Sequence, residues 1–250
     1  MKTLITTAFL GSLLLTPGLA SADFIGFSVG AGIWKDSPTG YFRKTSDNIN
    51  VDIENDLYWG DENQNYFFAT LEHPIPILPN IRLSKVNVEH SGAGTLTRSI
   101  TINGTTYSAS EDVTSSASFD QTDITLYWEI LDNVVSLDLG LNAKLLDLSY
   151  TATGSLSGTT SDSASATIPM VYGLVGASPM PGLLLSAEMA YVTYSGTTVS
   201  DFTAKVAYTS AFLLGVEAGY RSQVYTLDDV AGITADIKFS GPFAGLYLKF

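Results

Sequence analysis

The sequence contains no cysteine, and this absence removes two common ways of stabilising a chain. A disulfide framework and a thiolate-bound zinc site both need thiols. The absence suits a protein that crosses an oxidising compartment unfolded, where stray thiols would pair wrongly. It also excludes a lipoprotein, because there is no cysteine to carry the lipid.

Long hydrophobic runs are missing as well, although 45% of the 250 residues are hydrophobic and only 15% are charged. Soluble domains carry about 25% charged residues. No run reaches the roughly 18 apolar residues that a transmembrane helix needs. A hydrophobic composition without such a run is typical of membrane strands, in which apolar and polar side chains alternate.

Basic residues are scarce, because 12 lysines and arginines face 25 acidic residues and leave a net charge of −13. Such a chain repels the phosphates of nucleic acids, so we expect no nucleic-acid partner. No catalytic constellation, phosphate-binding loop or metal-ligand cluster stands out. We therefore expect a protein that is not an enzyme, with no cofactor, no catalytic residue and no metal site. The sequence assigns no binding residue.

Residues 1–22 have the three regions of a secretory signal peptide. Lys2 supplies the positive charge, residues 4–15 form a short apolar region, and Ala20 and Ala22 fit the small-residue cleavage pattern. We predict cleavage after Ala22, which leaves residues 23–250 as one outer-membrane β-barrel domain.

A period of two begins after this segment. In residues 24–34, Ile25, Phe27 and Val29 share one face, while small residues occupy the other. Successive side chains of a strand point to opposite faces, so the pattern predicts a strand between lipid and lumen. The alternation recurs in residues 122–130, 135–145, 183–191, 202–208 and 212–220, and more weakly in 66–73, 81–90, 166–177 and 234–250.

These ten stretches predict an all-β fold, an antiparallel up-and-down transmembrane barrel of ten strands. Eight strands are the alternative, if two of the weaker stretches are hairpins within loops. The connections alternate in length, as expected for short periplasmic turns and long outer loops. Short turns are predicted at 74–80, 131–133, 178–182 and 209–211, and long loops at 35–65, 91–117 and 151–165.

Two of the long loops carry further local patterns. Asn103-Gly104 stands between short alternating runs, which predicts a hairpin inside the second loop. Residues 153–165 are rich in glycine, serine and threonine, and we predict that this tract is mobile.

The chain ends with Leu246, Leu248 and Phe250 on one face. This ending resembles the signal by which the barrel-assembly machinery recognises its substrates. The segments GFSVGAGIW at 26–34, PTGYF at 38–42, DLYWG at 56–60, EHPIP at 72–76 and GPFAGLYLKF at 241–250 together resemble a family of small, uncharacterised outer-membrane β-barrel proteins of Gram-negative proteobacteria. The resemblance implies a place in the bacterial outer membrane, in contact with the lipid bilayer and lipopolysaccharide, but it implies no activity.

Charged residues at inward positions predict the contents of the lumen. A barrel this small is filled by its own side chains, and buried charges must pair. We therefore predict an ion-paired plug, with a narrow gated path for a small solute as the alternative. The inward set is Glu72, Asp123, Glu129, Asp138, Glu188, Glu217, Lys144, Lys205, Arg221 and Lys249, and less firmly Lys85 and Glu89.

Other residues that could carry chemistry have simpler explanations. His73 is expected at a periplasmic strand end and His90 at the solvated outer rim near Asp120 and Asp123, with a rim hydrolase as the alternative. The acidic first loop is expected to be solvated, with a calcium or magnesium site as the alternative. Its acids are Asp47, Asp52, Glu54, Asp56, Asp61 and Glu62.

Aromatic residues are predicted to form two interfacial girdles. The outer girdle would contain Trp34, Trp59, Tyr66, Tyr194 and Tyr225, and the inner one Phe24, Trp128, Tyr208, Phe212 and Phe250.

The final strand presents a conflict, because unbroken alternation would turn Lys238 towards lipid. At membrane depth this would cost about 2–4 kcal/mol. We therefore predict a bulge or kink between Ser240 and Phe243 that brings Phe239 to the outer surface.

Taken together, these patterns favour a monomeric, non-enzymatic outer-membrane protein that is structural or acts through its surface-exposed loops. A passive conduit or binding site for a small, even apolar, molecule is the second hypothesis.

Overall fold

The computed structural model describes residues 25–46, 49–230 and 232–250. The predicted signal peptide and cleavage site, together with Phe24 and Asp47, lie outside these ranges. No helix in the described ranges is long and apolar enough to span a membrane.

Ten long antiparallel strands form a closed barrel, as the alternation predicted. Each wall strand pairs with the next along the chain, and the last returns to pair with the first. The wall strands are β1 (Gly26–Lys44), β3 (Glu62–Glu72), β4 (Asn80–Thr95), β7 (Asp112–Asp132), β8 (Val135–Gly154), β9 (Gly158–Met180), β10 (Leu183–Tyr194), β11 (Thr197–Thr209), β12 (Leu214–Val230) and β13 (Ile233–Lys249).

Three short strands lie at the end of the barrel with the long loops. β2 (Val51–Asp52) pairs with the upper part of β1, and β5 (Ile100–Ile102) pairs with β6 (Thr105–Tyr107). Asn103 and Gly104 join β5 to β6 with φ of 47° and 82°. A two-residue turn of this type requires positive φ at both positions, so the predicted Asn-Gly hairpin is confirmed.

The outer face carries a belt of apolar side chains that remain exposed. Such a surface is unfavourable in water and is what lipid tails require, so the barrel sits in the outer membrane. The inner girdle is confirmed for Trp128, Tyr208, Phe212 and Phe250, which are all exposed. Belt residues include Ile25, Phe27, Val29, Phe67, Leu83, Ile124, Leu139, Leu141, Val171, Leu185, Val206, Val216 and Leu246.

Several strands are much longer than a bilayer requires. β7 has 21 residues and β9 has 23, whereas about 9–11 suffice to cross. The wall therefore continues beyond the membrane on the long-loop side, which is extracellular in barrels of this class. Most of the predicted third loop, residues 151–165, is paired strand, so the loop predicted there is wrong, and the mobility of its Ser/Thr tract stays a prediction. The serine- and threonine-rich composition of this tract belongs to a part of the wall that lies above the membrane and is exposed to water.

The predicted bulge in the last strand is also wrong. β13 pairs with β1 in one unbroken register from Ser28↔Lys249 to Lys44↔Ile233. Phe239 is completely buried, and Lys238 is exposed. Ser240 and Asp236 share the outward side with Lys238, so this part of β13 lies beyond the apolar belt. Lys238 faces water there, and the cost that motivated the bulge does not arise.

Candidate functional site

A layer of charged side chains crosses the lumen at mid-height. Lys144 is fully buried, and its Nζ lies 2.9 Å from Asp123 Oδ2, 3.1 Å from Asp201 Oδ2 and 3.1 Å from Gln121 Oε1. Arg221 donates from Nε and Nη2 to the two oxygens of Asp201, at 2.9 and 2.6 Å. Two cations thus meet two carboxylates, which satisfies the requirement that buried charges be paired.

Two amides join opposite walls of the barrel through this layer. Gln121 Nε2 donates to Gln223 Oε1 at 3.0 Å, and Gln223 Nε2 donates back to Gln121 Oε1 at 2.9 Å. β7 is the fourth wall strand and β12 the ninth of ten, so the pair spans the bore. Both side chains are completely buried. The bore is therefore blocked by direct side-chain contact at this height.

A second polar layer lies on the periplasmic side of the first. Arg82 pairs with Glu188, which also accepts from Tyr172 Oη at 3.0 Å. Lys205 lies 3.3 Å from Glu217 Oε2, and Tyr66 Oη donates to Glu217 Oε1 at 2.7 Å. The cavity between the layers measures only about 80 Å³.

The predicted ion-paired interior therefore exists, but the residues that form it differ in part from the predicted set. Arg82 and Asp201 belong to it although the prediction omitted them. Lys85 and Glu89 point outwards, and Lys85 pairs with Asp120 on the outer surface at 3.0 Å. Asp201 directly precedes the predicted stretch 202–208, so extending that strand by one residue would have found it. Arg82 lies within the predicted stretch 81–90, on the face opposite to Lys85 and Glu89, so assigning that face to the lumen would have found it.

The extracellular half of the lumen is closed by apolar packing. Side chains from the wall meet side chains from the first and second loops, which fold into the mouth. The cluster includes Trp34, Val86, Val88, Phe119, Tyr225 and Phe239 from the wall, Ile53, Leu57 and Trp59 from the first loop, and Ile100, Ile102 and Tyr107 from the hairpin. We refer to these inserted loop residues as the plug.

The plug explains why the predicted outer aromatic girdle is wrong. Trp34, Trp59 and Tyr225 are buried, and Tyr66 points into the lumen to Glu217. Only Tyr194 of that set is well exposed, at 82%. The three wall residues occupy inward positions of their strands, and Trp59 is carried inward by its loop.

Polar contacts hold the first loop in the mouth. Asp56 is buried, accepts from the Asp52 amide at 2.8 Å and pairs with Arg98 of the second loop. Trp59 Nε1 donates to Ser115 Oγ at 2.9 Å. The expected solvation of this loop is thus wrong for Asp56. Within the described residues, no three His, Asp or Glu side chains are arranged to hold a metal ion.

Glu111 anchors the second loop to the β8–β9 connection. It accepts from the Ser108 amide at 2.8 Å, from Ser157 Oγ at 2.7 Å and from the Leu156 amide at 2.8 Å. Burial acts to raise the pKa of Glu111, but these hydrogen bonds outweigh it and lower the pKa to about 2. The side chain is therefore an ionised acceptor at neutral pH.

His90 lies inside the plug, and its predicted position at the solvated rim is wrong. Nε2 lies 2.9 Å from Asp36 Oδ2, Nδ1 lies 3.1 Å from the Gly60 carbonyl, and the His90 and Asp36 side chains are 0% exposed. The ring stacks between Trp59 and Phe239. The histidine is thus a packing and hydrogen-bonding element that ties the first loop to β1.

The periplasmic end of the lumen is open. A vestibule of about 620 Å³ extends from the short turns up to Arg82 and Glu217. Glu72, Glu129, Asp138 and Lys249 line it, as their inward parity predicted. The lumen is thus accessible from the periplasmic side and closed on the extracellular side.

No family model matches the chain, and a search of curated proteins finds no match. Solved structures do match. The outer-membrane protease OmpT of Escherichia coli is 12% identical, covers 93% of this chain and 99% of its own, and superposes with a TM-score of 0.55. The translocator domain of the autotransporter NalP of Neisseria meningitidis is 11% identical, covers 90% and 88%, with a TM-score of 0.48. The attachment invasion locus protein Ail of Yersinia pestis is 11% identical, covers 90% and 99%, with a TM-score of 0.39.

The similarity to OmpT concerns the fold. Together with the apolar belt and the closed ten-stranded wall, this fold is that of an outer-membrane β-barrel of the Gram-negative type. The particular activity is a separate question, which the lumen and the extracellular surface address.

Proposed function

We propose that this protein is a closed, non-enzymatic outer-membrane barrel that acts through its extracellular surface. The observation that carries the proposal is the Gln121–Gln223 bridge across the bore, with the apolar plug above it. A solute pathway would have to break both. The wall instead continues beyond the membrane and presents a rigid surface to the outside.

The state of His90 supports a non-enzymatic role. Both of its ring nitrogens are engaged, one by Asp36 and one by the Gly60 carbonyl. A general base needs a free ring nitrogen within hydrogen-bond reach of the reacting group. In this structure no substrate atom can reach the ring nitrogens, because the side chain is completely buried, with aromatic rings over both of its faces.

The proposal extends to several properties that were expected from the sequence. These are export by the signal peptide, insertion by the barrel-assembly machinery, contact with lipopolysaccharide, a monomeric state and membership of the family of small uncharacterised outer-membrane barrels. The outward alternation of Leu246, Leu248 and Phe250 supports recognition by the assembly machinery, since all three side chains are exposed.

Conductance in a planar lipid bilayer tests the proposal and the conduit alternative together. The wild-type barrel is expected to give no steady current, and a general porin prepared in parallel serves as the positive control. A variant in which residues 53–60 and 100–107 are replaced by short Gly/Ser linkers and Gln121 and Gln223 by alanine is expected to conduct. Steady wild-type current at the level of a porin would overturn the proposal.

A further inference from the structure

One wall strand has a long unpaired edge above the membrane. β9 pairs with β8 along its whole length, from Ala177↔Val135 to Gly158↔Gly154. Its pairing with β10 ends at Val171↔Tyr191. Among the described strands, the stretch from Gly158 to Met170 therefore has a ladder partner on one side only. We call residues 158–168 the free edge.

The alternation of the backbone along β9 shows which of its N–H and C=O groups point away from β8. In an antiparallel ladder, successive residues direct their N–H and C=O groups to opposite sides. The Ser163 amide donates to its neighbour Asp162 at 2.8 Å rather than to a strand, so Ser163 points away from β8. Residues of the same parity also point outwards from the edge, namely Thr159, Ser161, Ser165 and Thr167.

Pro169 agrees with this assignment. Proline has no amide hydrogen and is tolerated in a strand where that hydrogen would face away from the ladder. Its parity is that of Ser163, and β8 pairing continues past it without a shift of register. The proline ends the row of available donors at the membrane side.

The free edge lacks the protection that edges usually carry. Natural edge strands are blunted by lysine, proline, bulges or short length, because unpaired backbone groups recruit other chains. Residues 161–167 are all exposed, and the register with β8 is regular. A further open edge, on β4, is protected: Gln64 donates to the Glu89 carbonyl and accepts from its amide, and the Tyr58 hydroxyl donates to the Thr95 carbonyl.

Charge indicates the kind of chain that fits. In residues 145–168 the only charged side chains are Asp147 and Asp162, and no base lies among them. Both carboxylates are exposed, so a strand with basic side chains would find complementary charge, whereas an acidic strand would be repelled.

A second copy in the same membrane fits poorly. Strands of such barrels tilt by about 35–45°, so the facing strands of two neighbouring barrels cross steeply and cannot form a ladder. An extended segment from outside the membrane has no such constraint.

We propose that the free edge of β9 is a docking site for an extended, basic polypeptide segment, which adds to the wall as a further strand. The inference rests on the proposed surface function and names the partner class for it. Main-chain hydrogen bonds would supply the affinity, and Asp147 and Asp162 the preference for basic residues.

The probe is a fluorescent peptide of alternating lysine and threonine, titrated against the full-length protein in lipid nanodiscs and followed by anisotropy. A copy N-methylated at alternate residues keeps the charge and loses the ladder donors. We expect saturable binding of the first peptide and at least about tenfold weaker binding of the second, because each ladder hydrogen bond that is lost weakens binding by about two- to tenfold. Equal binding of the two peptides would overturn the inference.

Variants of the protein give an independent check. Ser165→Pro removes one edge donor and leaves the β8 ladder intact, so it should weaken binding about tenfold, while Ser165→Ala should leave it within about twofold. Asp162→Lys reverses a charge, keeps every backbone donor and releases the Ser163 amide from its carboxylate; it should nevertheless weaken binding, and it covers the case in which the proline variant fails to fold. The proposal would be contradicted if Asp162→Lys bound the peptide as tightly as the wild type. Binding of a neutral oligosaccharide in place of the peptide would also contradict it. A barrel that does not conduct and binds no peptide would refute this inference and leave the proposed function standing.

Discussion

The buried cation Lys144 offers the sharpest test of how the lumen is stabilised. Replacing it with methionine keeps the length of the side chain and removes the charge. Arg221 would still pair with Asp201, but Asp123 would lose the ammonium group that it pairs with, inside a layer where Lys144 and Gln121 are completely buried. Breaking a buried ion pair by removing one partner costs about 3–5 kcal/mol, because a charge is left uncompensated.

The expected loss for Lys144→Met is therefore about 3–5 kcal/mol in the free energy of unfolding. The assay is reversible urea unfolding in phospholipid vesicles, followed by tryptophan fluorescence. Lys85→Met is the matched control, since Lys85 also pairs with an aspartate at 3.0 Å but is half exposed. That control should cost about 0–1 kcal/mol.

The double variant Lys144→Met with Asp123→Asn restores the balance of charge. It should recover much of the loss, because one cation then faces one carboxylate. The reasoning is refuted if Lys144→Met lowers the free energy of unfolding no more than Lys85→Met does. It is also refuted if the double variant loses more free energy of unfolding than its two single variants lose together.

Two further predictions concern the loops that close the mouth. The pKa of Glu111 lies at about 2, below its ordinary value of 4.5, so its contribution to stability is present above that ordinary value and is lost as the pH falls towards 2. The destabilisation of Glu111→Gln relative to wild type, measured by urea midpoints, should thus be clear at neutral pH and vanish near pH 2; a difference that persists at low pH would contradict it. A Cβ on Gly92 would come within 2.1 Å of the Leu57 carbonyl, whereas one on Gly60 would meet nothing within 4 Å. Gly92→Ala should therefore expose the first loop to added protease, and Gly60→Ala should not; equal digestion of the two would count against the inserted loop.

The wall could be predicted from the sequence because its determinants are local. A strand between lipid and lumen imposes a period of two on its side chains, and this period survives in all ten wall strands. The β5–β6 hairpin was also predictable, since Asn103 and Gly104 are the residue types that a tight turn with positive φ requires.

The extent of the strands and the fate of the loops depend on distant contacts. Above the membrane both faces of a strand can be polar, so residues 151–165 have the composition of a loop although they are paired. The first loop folds inward because Trp59 and Leu57 find apolar partners on β4 and β7, far away in sequence. The prediction for Phe239 failed because it assumed that the whole of β13 lies at membrane depth.

The most direct test of the central claim, that the loops fold into the barrel and close it, is the environment of the tryptophans. The chain has three, and a variant that keeps only Trp59 reports on the first loop. Trp59 is 7% exposed within the plug, so it should be shielded both from acrylamide and from brominated lipid. A variant that keeps only Trp128, on the lipid-facing surface, should be quenched by brominated lipid and serves as the control. Strong acrylamide quenching of Trp59 would place the first loop in solvent and contradict the closed mouth.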